Sequence, residues 1–258
     1  MTGSLSNGKG AATASEYDPG AYGRAVAADY DRLYAAVPET TEAVQRLAEL
    51  AGGGAVLEMG IGTGRLALPL RMRGVEVVGI EGSAEMLDQL RAKPGGANLP
   101  VAVGDFADTE VAGRFSVVVL ALHTIFGLPT PERQIRCFEN AAAHLQPGGV
   151  FVVEARVMDP ADFRDGKALE PRFFDERHVE LQVQRFDALT QRVEVTNVHL
   201  SDEGVRLNAY VNQYTTPREF DLMARIAGLC LRERWESWER EPFTAHSRRH
   251  VSVYELPV

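Results

Sequence analysis

The stretch that decides the fold runs from Glu58 to Gly64 and reads EMGIGTG. The stretch begins at the end of the short apolar run 55–59, which predicts a β-strand. It is followed by the helical pattern of residues 65–72. Glycines in this position let the backbone turn sharply and allow a ligand to lie against the main chain. The sequence therefore predicts a glycine-rich, ligand-binding turn at the carboxyl end of the first strand.

An acidic residue indicates which ligand this turn binds. Glu81 follows the next predicted strand and lies 21 residues after Gly60. A carboxylate in that place can accept hydrogen bonds from two ribose hydroxyls. The turn departs from the dinucleotide pattern G-x-G-x-x-G, because Arg65 stands where the last glycine is expected. Since an arginine there would obstruct both the strand–helix contact and a pyrophosphate, we expect a nucleoside ligand without a pyrophosphate.

Strands and helices alternate along the first half of the chain. The further predicted strands cover residues 75–80, 101–103, 115–122 and 150–157, and the predicted helices cover 65–72, 84–93 and 131–145. This alternation is typical of right-handed βαβ units and a parallel sheet. The continuous apolar run 115–122 predicts a strand that is buried on both faces.

The remaining segments predict the domain organisation. Residues 1–16 are rich in Gly, Ser, Ala and Thr and are expected to be disordered. Residues 17–157 form the α/β core, whose first two helices serve as a lid. Residues 158–216 hold three predicted strands, 178–185, 192–200 and 206–214, joined by short polar turns that favour an antiparallel cap. Residues 217–258 return to the core as a helix and a pair of closing strands.

Five motifs follow each other in a fixed order: Glu58–Gly64, Val78–Leu87, Gly104–Phe106, Phe115–Leu122 and Leu145–Gly149. In this order they resemble the motifs of class I S-adenosylmethionine (SAM)-dependent methyltransferases, and the resemblance covers about residues 17–157. It implies a Rossmann-like α/β fold with a mostly parallel seven-stranded sheet, an antiparallel β insertion as cap, and SAM as cofactor. The tail, 222–229 and 241–248, resembles bacterial methyltransferases of small specialised metabolites and of the N-terminus of ribosomal peptides.

The resemblance also implies roles for individual residues toward SAM. Tyr22 would lie over the carboxylate end, while Glu58, Gly60 and Gly62 would face the methionine part. Glu81 would hold the ribose, Met86 would pack on the adenine, and Asp105 would accept from the adenine amino group, with Phe106 donating its backbone N–H. The expected set is completed by residues of the same motifs: Gly82, Ser83, Gly104 and Leu120.

Methyl transfer from a sulfonium is an in-line displacement in which the protein mainly aligns a nucleophile, and positioning alone is worth ~7–11 kcal/mol. A neutral amine needs no base, whereas a hydroxyl gains ~10²–10⁴-fold from one. The candidate bases or substrate contacts are His123, which follows the fourth strand, His199 in the insertion and His246 in the tail. No Cys/His spacing typical of a metal site is present, so no metal is expected.

The net charge, the apolar runs and the cysteines limit which partners and which compartment we expect for the protein. The net charge of −9 disfavours nucleic acid, since phosphate binding needs a basic field. No apolar run reaches the ~18 residues of a membrane helix, so no membrane partner is expected. Cys137 and Cys230 lie among apolar residues and are expected to be buried free thiols in a reducing cytoplasm. The expected partner is a small-molecule or short-peptide methyl acceptor, with a homodimer through the cap as a further possibility.

Three other functions remain open at this point. An NAD-dependent oxidoreductase is disfavoured by the early third glycine and Arg65. A non-catalytic SAM-fold binding protein is disfavoured by the intact Glu58, Glu81 and Asp105. Methylation of nucleic acid is disfavoured because the residues after the fourth strand, 121–124, read ALHT and not the Asn/Asp-Pro-Pro-aromatic run of amino-methylating DNA enzymes.

Overall fold

The computed structural model of the protein describes residues 17–33 and 39–258, so the predicted disordered segment 1–16 lies outside the described residues. The helices are α1 (Ala21–Leu33), α2 (Thr40–Ala51), α3 (Ala67–Met72), α4 (Ala84–Ala92), α5 (Pro131–His144) and α6 (Pro217–Ile226). The strands are β1 (Val56–Met59), β2 (Val77–Glu81), β3 (Val101–Val103), β4 (Phe115–Leu120), β5 (Leu145–Arg156), β6 (Lys167–Phe174), β7 (His178–Asp187), β8 (Arg192–Ser201), β9 (Gly204–Gln213), β10 (Cys230–Trp235) and β11 (Arg249–Glu255).

A seven-stranded sheet with the order β10-β11-β5-β4-β1-β2-β3 forms the centre of the fold. Strands β1 to β5 pair in parallel, and β11 and β10 complete the sheet in antiparallel pairs. Every residue of β4 is buried, as a strand covered by helices on both faces requires. The predicted fold class, a mostly parallel seven-stranded sheet with an antiparallel insertion, is confirmed.

Local sequence signals set the helix boundaries on either side of this sheet. The side chain of Thr130 accepts a hydrogen bond from the backbone N–H of Arg133, and Pro131 occupies the first turn of α5. Thr216 and Glu219 form a reciprocal capping box at the start of α6. These caps place α5 and α6 on one face of the sheet, where Phe138 and Phe220 are fully buried in the core.

The insertion folds as a four-stranded antiparallel sheet of order β6-β7-β8-β9, which we call the cap sheet. The sequence predicted its last three strands but missed β6. Strand β6 has no regular apolar alternation and contains Pro171, where the pairing with β7 shifts register. A proline is tolerated there because β6 is an edge strand.

The two cysteines differ. Cys137 in α5 is buried, as predicted, whereas Cys230 is exposed, so the prediction of burial for Cys230 was wrong. Cys230 opens β10, the edge strand of the central sheet, where apolar neighbours in sequence do not ensure that a side chain is buried.

Among the helices described, none combines the length and apolar character needed to cross a membrane.

Candidate active site

The glycine-rich turn after β1 has the backbone conformation that its sequence predicts. Gly60, Gly62 and Gly64 all have left-handed φ angles, of 66°, 54° and 85°. A Cβ atom on Gly64 would lie 2.4 Å from Leu90 Cδ1, so this glycine permits the close contact with α4. Arg65, which stands where the dinucleotide pattern has its last glycine, donates a hydrogen bond of 2.9 Å from its guanidinium to Thr40 Oγ1 at the start of α2.

Glu81 at the end of β2 holds this turn in place. Its carboxylate accepts hydrogen bonds from the backbone N–H of Gly62 at 2.8 Å and from the backbone N–H of Ser83 at 2.9 Å. Burial raises the pKa of Glu81, while the N–H groups of Ser83, Gly62 and Gly82 act in the opposite direction. The carboxylate is therefore oriented before any ligand binds, and each oxygen keeps a lone pair that can accept from a hydroxyl.

Glu58 in β1 is a second buried acid beside the same turn. Its Oε2 atom is buried and has no hydrogen-bond partner among the described residues. Burial raises the pKa of Glu58 to about 8, with Arg65 and the backbone N–H of Ala67 opposing the rise. A buried carboxylate oxygen without a partner is costly, so this geometry favours a ligand that brings a cationic or N–H donor.

The SAM molecule that the resemblance implies fits these residues. A Cβ atom at Gly62 would meet no atom within 4 Å, so open space borders the turn. At Gly60 a Cβ atom would lie 3.0 Å from Thr124 Cγ2, which places the segment after β4 beside the turn. The turn is thus bordered by two acids, Glu58 with an unpartnered buried oxygen and Glu81 with an oriented carboxylate, and both can accept hydrogen bonds from a ligand.

The residues that we expect around the adenine also form contacts with other parts of the chain. Asp105 pairs with Arg133 of α5, accepts from the backbone N–H of Ala107 at 2.8 Å and hydrogen-bonds the hydroxyl of Tyr17. The guanidinium of Arg133 stacks 4.9 Å from the centre of the Tyr17 ring. Phe106 is half-buried and packs against the hydrophobic core that lies between α5 and the central sheet. Gly104 follows β3 and begins this segment.

Met86 and Ser83 lie at the start of α4, where helix α1 packs against them. Met86 is buried in a small cluster with Val26 and Ala27 of α1. The Ser83 hydroxyl accepts the backbone N–H of Met86 and caps α4. The close approach of the two helices depends on Gly23, where a Cβ atom would lie 2.5 Å from Ser83 Cβ. Gly82 is likewise covered by the backbone of the segment before α1, since a Cβ there would lie 2.8 Å from Pro19 C.

Helix α1 connects the glycine-rich turn with the cap sheet. On one side Asp31 accepts a hydrogen bond of 2.6 Å from the Thr63 hydroxyl and pairs with Lys93, whose ammonium also reaches the Thr63 carbonyl. On the other side the ring of Tyr22 meets Tyr210 of β9 edge to face, with ring centres 5.7 Å apart. Tyr22 thus lies where α1 faces the cap sheet.

The segment after β4 carries a strained turn. Leu120 is fully buried at the strand end, and Leu122 and His123 then adopt left-handed φ angles of 49° and 62°. Glu154 of β5 stabilises this conformation: its Oε2 accepts from the N–H of Leu122 at 3.0 Å and its carbonyl accepts from the N–H of His123 at 3.1 Å. Left-handed residues that are not glycine store strain and cluster at functional sites.

His123 is held neutral in this turn. Its Nδ1 atom is buried without a partner in the described part of the chain. Burial lowers the pKa of His123 to about 4, and the next largest contribution is the positive charge of Arg156. The imidazole is therefore a weak base that can accept a hydrogen bond at neutral pH.

The other two histidines lie elsewhere. His199 is on the cap sheet, where its Nδ1 lies 3.3 Å from Glu180 Oε1. His246 is exposed in the tail turn, where its backbone N–H contacts the Thr244 hydroxyl at 3.3 Å. The structure brings together the glycine-rich turn and the segment around His123, but it does not bring His246 to them.

A cleft opens between the cap sheet and the carboxyl end of β5, and we call it the cap cleft. Its residues are apolar, aromatic and amide side chains with one arginine: Phe126, Arg156, Met158, Gln182, Gln184, Val193, Val195, Tyr210, Asn212 and Tyr214. An apolar lining with a few placed polar groups is typical of a small-molecule site. Tyr210 and Asn212 of β9, together with Tyr214 just after it, line this cleft from the cap sheet.

Sequence reasoning missed Arg133, Glu154 and Arg156. Arg133 meets Asp105 across 28 residues of chain, and Glu154 meets Leu122 across 32. No local motif carries such contacts, because they arise only when elements distant in sequence, such as α5 and the segment after β3, become neighbours in the fold. The one available signal was a charge at the end of a strand that is otherwise apolar, since both Glu154 and Arg156 close the run of β5.

Comparisons with known proteins agree with this site. Residues 56–149 match the family described as "Methyltransferase domain". The chain is 32% identical over 209 residues to a cypemycin N-terminal methyltransferase of a Streptomyces species, covering 79% of this chain and 83% of that protein. It is 30% identical over 132 residues to a dTDP-4-amino-2,3,4,6-tetradeoxy-D-glucose N,N-dimethyltransferase of Saccharopolyspora spinosa, covering 48% of this chain and 52% of that one.

A solved structure extends the likeness to the whole fold. The CcbJ methyltransferase from Streptomyces caelestis superposes with a TM-score of 0.87 at 39% identity, covering 94% of this chain and 100% of that chain. These relatives decide between the alternatives left open by the sequence: the protein is an enzyme, its cofactor is SAM, and it is not an NAD-dependent oxidoreductase. The chain belongs to the class I SAM-dependent methyltransferases.

Proposed function

We propose that the enzyme methylates an amine nitrogen of a small specialised metabolite. The observation that carries this proposal is the burial of His123, whose Nδ1 has no partner among the described residues and whose pKa burial lowers to about 4. A base this weak gives little help to a hydroxyl, whereas a neutral amine needs none in the transfer step. The names of two relatives, an N-terminal methyltransferase and an amino-sugar N,N-dimethyltransferase, point to the same atom.

In this proposal the residues of the chain have the following roles. SAM, when bound, supplies a methyl group on a sulfonium, which is already electrophilic. Glu58 accepts from the ammonium of the methionine part, and Glu81 accepts from the ribose hydroxyls. The turn at Gly60 and Gly62 lets the ligand approach the main chain, and the cap cleft excludes water and aligns the amine. Positioning of this kind is worth ~7–11 kcal/mol of the barrier.

The experiment is a screen of candidate acceptors with SAM that carries an isotopically labelled methyl group, using amines and the matching alcohols side by side. The variant His123→Gln distinguishes the two chemistries once an acceptor is found. We expect its turnover to fall by less than about tenfold, because no base is needed for an amine. A loss of ~10²–10⁴-fold would show that His123 acts as a general base for a hydroxyl and would refute the proposal.

A second candidate acceptor is the N-terminal amine of a peptide. The 32% identity to the cypemycin N-terminal methyltransferase, which extends over 79% of this chain, favours it. Short peptides with a free and with an acetylated N-terminus test this candidate, because only the free amine can accept a methyl group.

We further propose a division into a SAM-binding domain, residues 17–157 and 217–258, and a cap, residues 158–216. The support is that the cap sheet contributes most of the lining of the cap cleft, while the glycine-rich turn belongs to the central sheet. We also propose that the enzyme acts in the cytoplasm, in keeping with two cysteines that are both free thiols.

We also propose a homodimer through the outer face of the cap sheet. This face is defined by large apolar side chains that are 42% to 76% exposed: Leu169, Phe174, Val183, Val205, Leu207 and Val211. On this face Arg185 is paired with Glu194. An apolar face of this kind can pack against a second copy of itself, as a two-fold interface requires.

A further inference from the structure

Arg156 is the one charged side chain among the described residues that line the cap cleft. It closes β5 and is half-buried. Within residues 17–33 and 39–258, its guanidinium forms neither an ion pair nor a hydrogen bond. A partly buried cation without a partner is costly, and it is a common feature of sites that bind an anion.

The other arginines whose charge reaches this region all have partners. Arg249 pairs with Glu39, Arg172 pairs with Glu170 at 3.0 Å, and Arg65 donates to Thr40 at 2.9 Å. The same four arginines depress the pKa of His123, with Arg156 first among them after burial. Of these four arginines, Arg156 is therefore the one that has neither an ion-pair nor a hydrogen-bond partner in the described part of the chain.

The rest of the cleft lining is neutral and arranged for polar contacts. Gln184 Nε2 donates to Gln182 Oε1 at 2.8 Å, and Gln182 Nε2 donates to Asn197 Oδ1 at 3.0 Å. The Tyr214 hydroxyl oxygen accepts from the N–H of Met158 at 3.1 Å, which leaves its O–H free to donate. These groups can hydrogen-bond a ligand, but they supply no countercharge to the arginine.

We propose that the methyl acceptor carries a carboxylate that binds to Arg156, so that the substrate class is an amino carboxylate. A guanidinium presents two parallel N–H donors that match the two oxygens of a carboxylate. One cation in an otherwise neutral cleft balances one negative charge, which favours a carboxylate over a phosphate dianion. This inference rests on the proposed amine acceptor and adds the group that positions it.

The test uses amino acids with side chains of graded size, each as the free acid and as the primary carboxamide. Binding to the protein loaded with S-adenosylhomocysteine is measured by calorimetry, and methyl transfer is measured separately with labelled SAM. We expect the acids to bind at least about tenfold more tightly than the carboxamides, the range for a hydrogen-bonded charge pair. Arg156→Gln should remove this preference, and Arg156→Lys should retain part of it.

Arg172→Gln is the matched control, because it removes a nearby arginine that is already paired with Glu170 and does not line the cleft. It should leave the preference for acids within about twofold. The inference is wrong if acids bind no better than carboxamides, if Arg156→Gln leaves their advantage intact, or if a phosphomonoester binds more tightly than every acid.

The binding measurement and the methyl-transfer measurement together distinguish this inference from the proposed function. Binding of acids that depends on Arg156, with transfer to oxygen instead of nitrogen, would keep the carboxylate site and refute N-methylation. Transfer to nitrogen with acids and carboxamides equally good would keep N-methylation and refute the carboxylate site. Far-ultraviolet circular dichroism and binding of S-adenosylhomocysteine confirm that each variant is folded.

Discussion

The carboxylate of Glu81 accepts a hydrogen bond from the backbone N–H of Gly62 at 2.8 Å, which joins the end of β2 to the turn after β1. Glu81→Ala removes both this support and the proposed acceptor for the ribose. We expect SAM binding to weaken by roughly 1.5–3 kcal/mol, the range for hydrogen bonds to a charged group. Calorimetry measures it, with Glu76→Ala, an exposed acid just before the same strand, as the control. Unchanged affinity in a folded Glu81→Ala variant would contradict the assignment.

Glu58 gives a prediction about pH and stability. Its pKa is raised to about 8 by burial, above the usual value of an unfolded glutamate. Between these two pH values the unfolded chain has released a proton that the folded chain still holds, so the free energy of unfolding falls as pH rises toward 8. Glu58→Gln should remove this fall and stabilise the ligand-free protein at pH 8, while weakening its binding of SAM.

Chemical denaturation at pH 5 and pH 8 checks the Glu58 prediction, with and without S-adenosylhomocysteine. The ligand should reduce the pH dependence of the wild type, because its ammonium stabilises the ionised carboxylate. Parallel pH dependence in the wild type and the variant would mean that Glu58 is ionised in the ligand-free protein.

Glu154 is expected to position the turn that carries His123. Its Oε2 accepts the Leu122 N–H at 3.0 Å, and both Leu122 and His123 have positive φ angles. Glu154→Ala should speed hydrogen exchange at these amides and lower turnover by about tenfold, a cost of ~1.4 kcal/mol. Glu154→Gln retains an acceptor oxygen and should restore most of both. Equal loss in the two variants would indicate that charge, and not the hydrogen bond, matters.

The cap sheet is expected to set acceptor choice without holding SAM. Asn197→Ala, His199→Ala and Tyr210→Ala alter the face of the cap sheet toward the cleft, so turnover should fall by about tenfold or more while SAM affinity stays near wild type. Thr196→Ala changes the opposite face of β8 and is the control. If all three variants keep full turnover but change the oligomeric state, the cap sheet is an interface and not the acceptor wall.

The outer face of the cap sheet makes a prediction about assembly. Leu207→Lys places a charge among the apolar side chains of that face and should convert a dimer into a monomer in analytical ultracentrifugation. Leu189→Lys is the matched control, because Leu189 is 93% exposed in the turn between β7 and β8 and lies outside that face. A wild-type protein that sediments as a monomer at micromolar concentration would refute the proposed interface.

Individual residues show which parts of the fold and of the site could be predicted from the sequence. The turn at Gly60 and Gly62 was predictable because the need for left-handed backbone is local, and β3 was predicted with its correct bounds. Strand β6 was missed because Pro171 interrupts its pattern. The contact of Arg133 with Asp105 and the place of Arg156 in the cap cleft depend on which helices and strands become neighbours in the fold. Periodicity along the chain does not contain that information.

The most direct test of N-methylation is the position of the transferred carbon in the product. An acceptor with both an amine and a hydroxyl is incubated with the enzyme and SAM bearing a ¹³C-methyl group, and the product is examined by NMR. We predict that the label is bonded to nitrogen, with acetylation of that amine abolishing transfer. A label bonded to oxygen while the amine remains free would contradict N-methylation as the function of this enzyme.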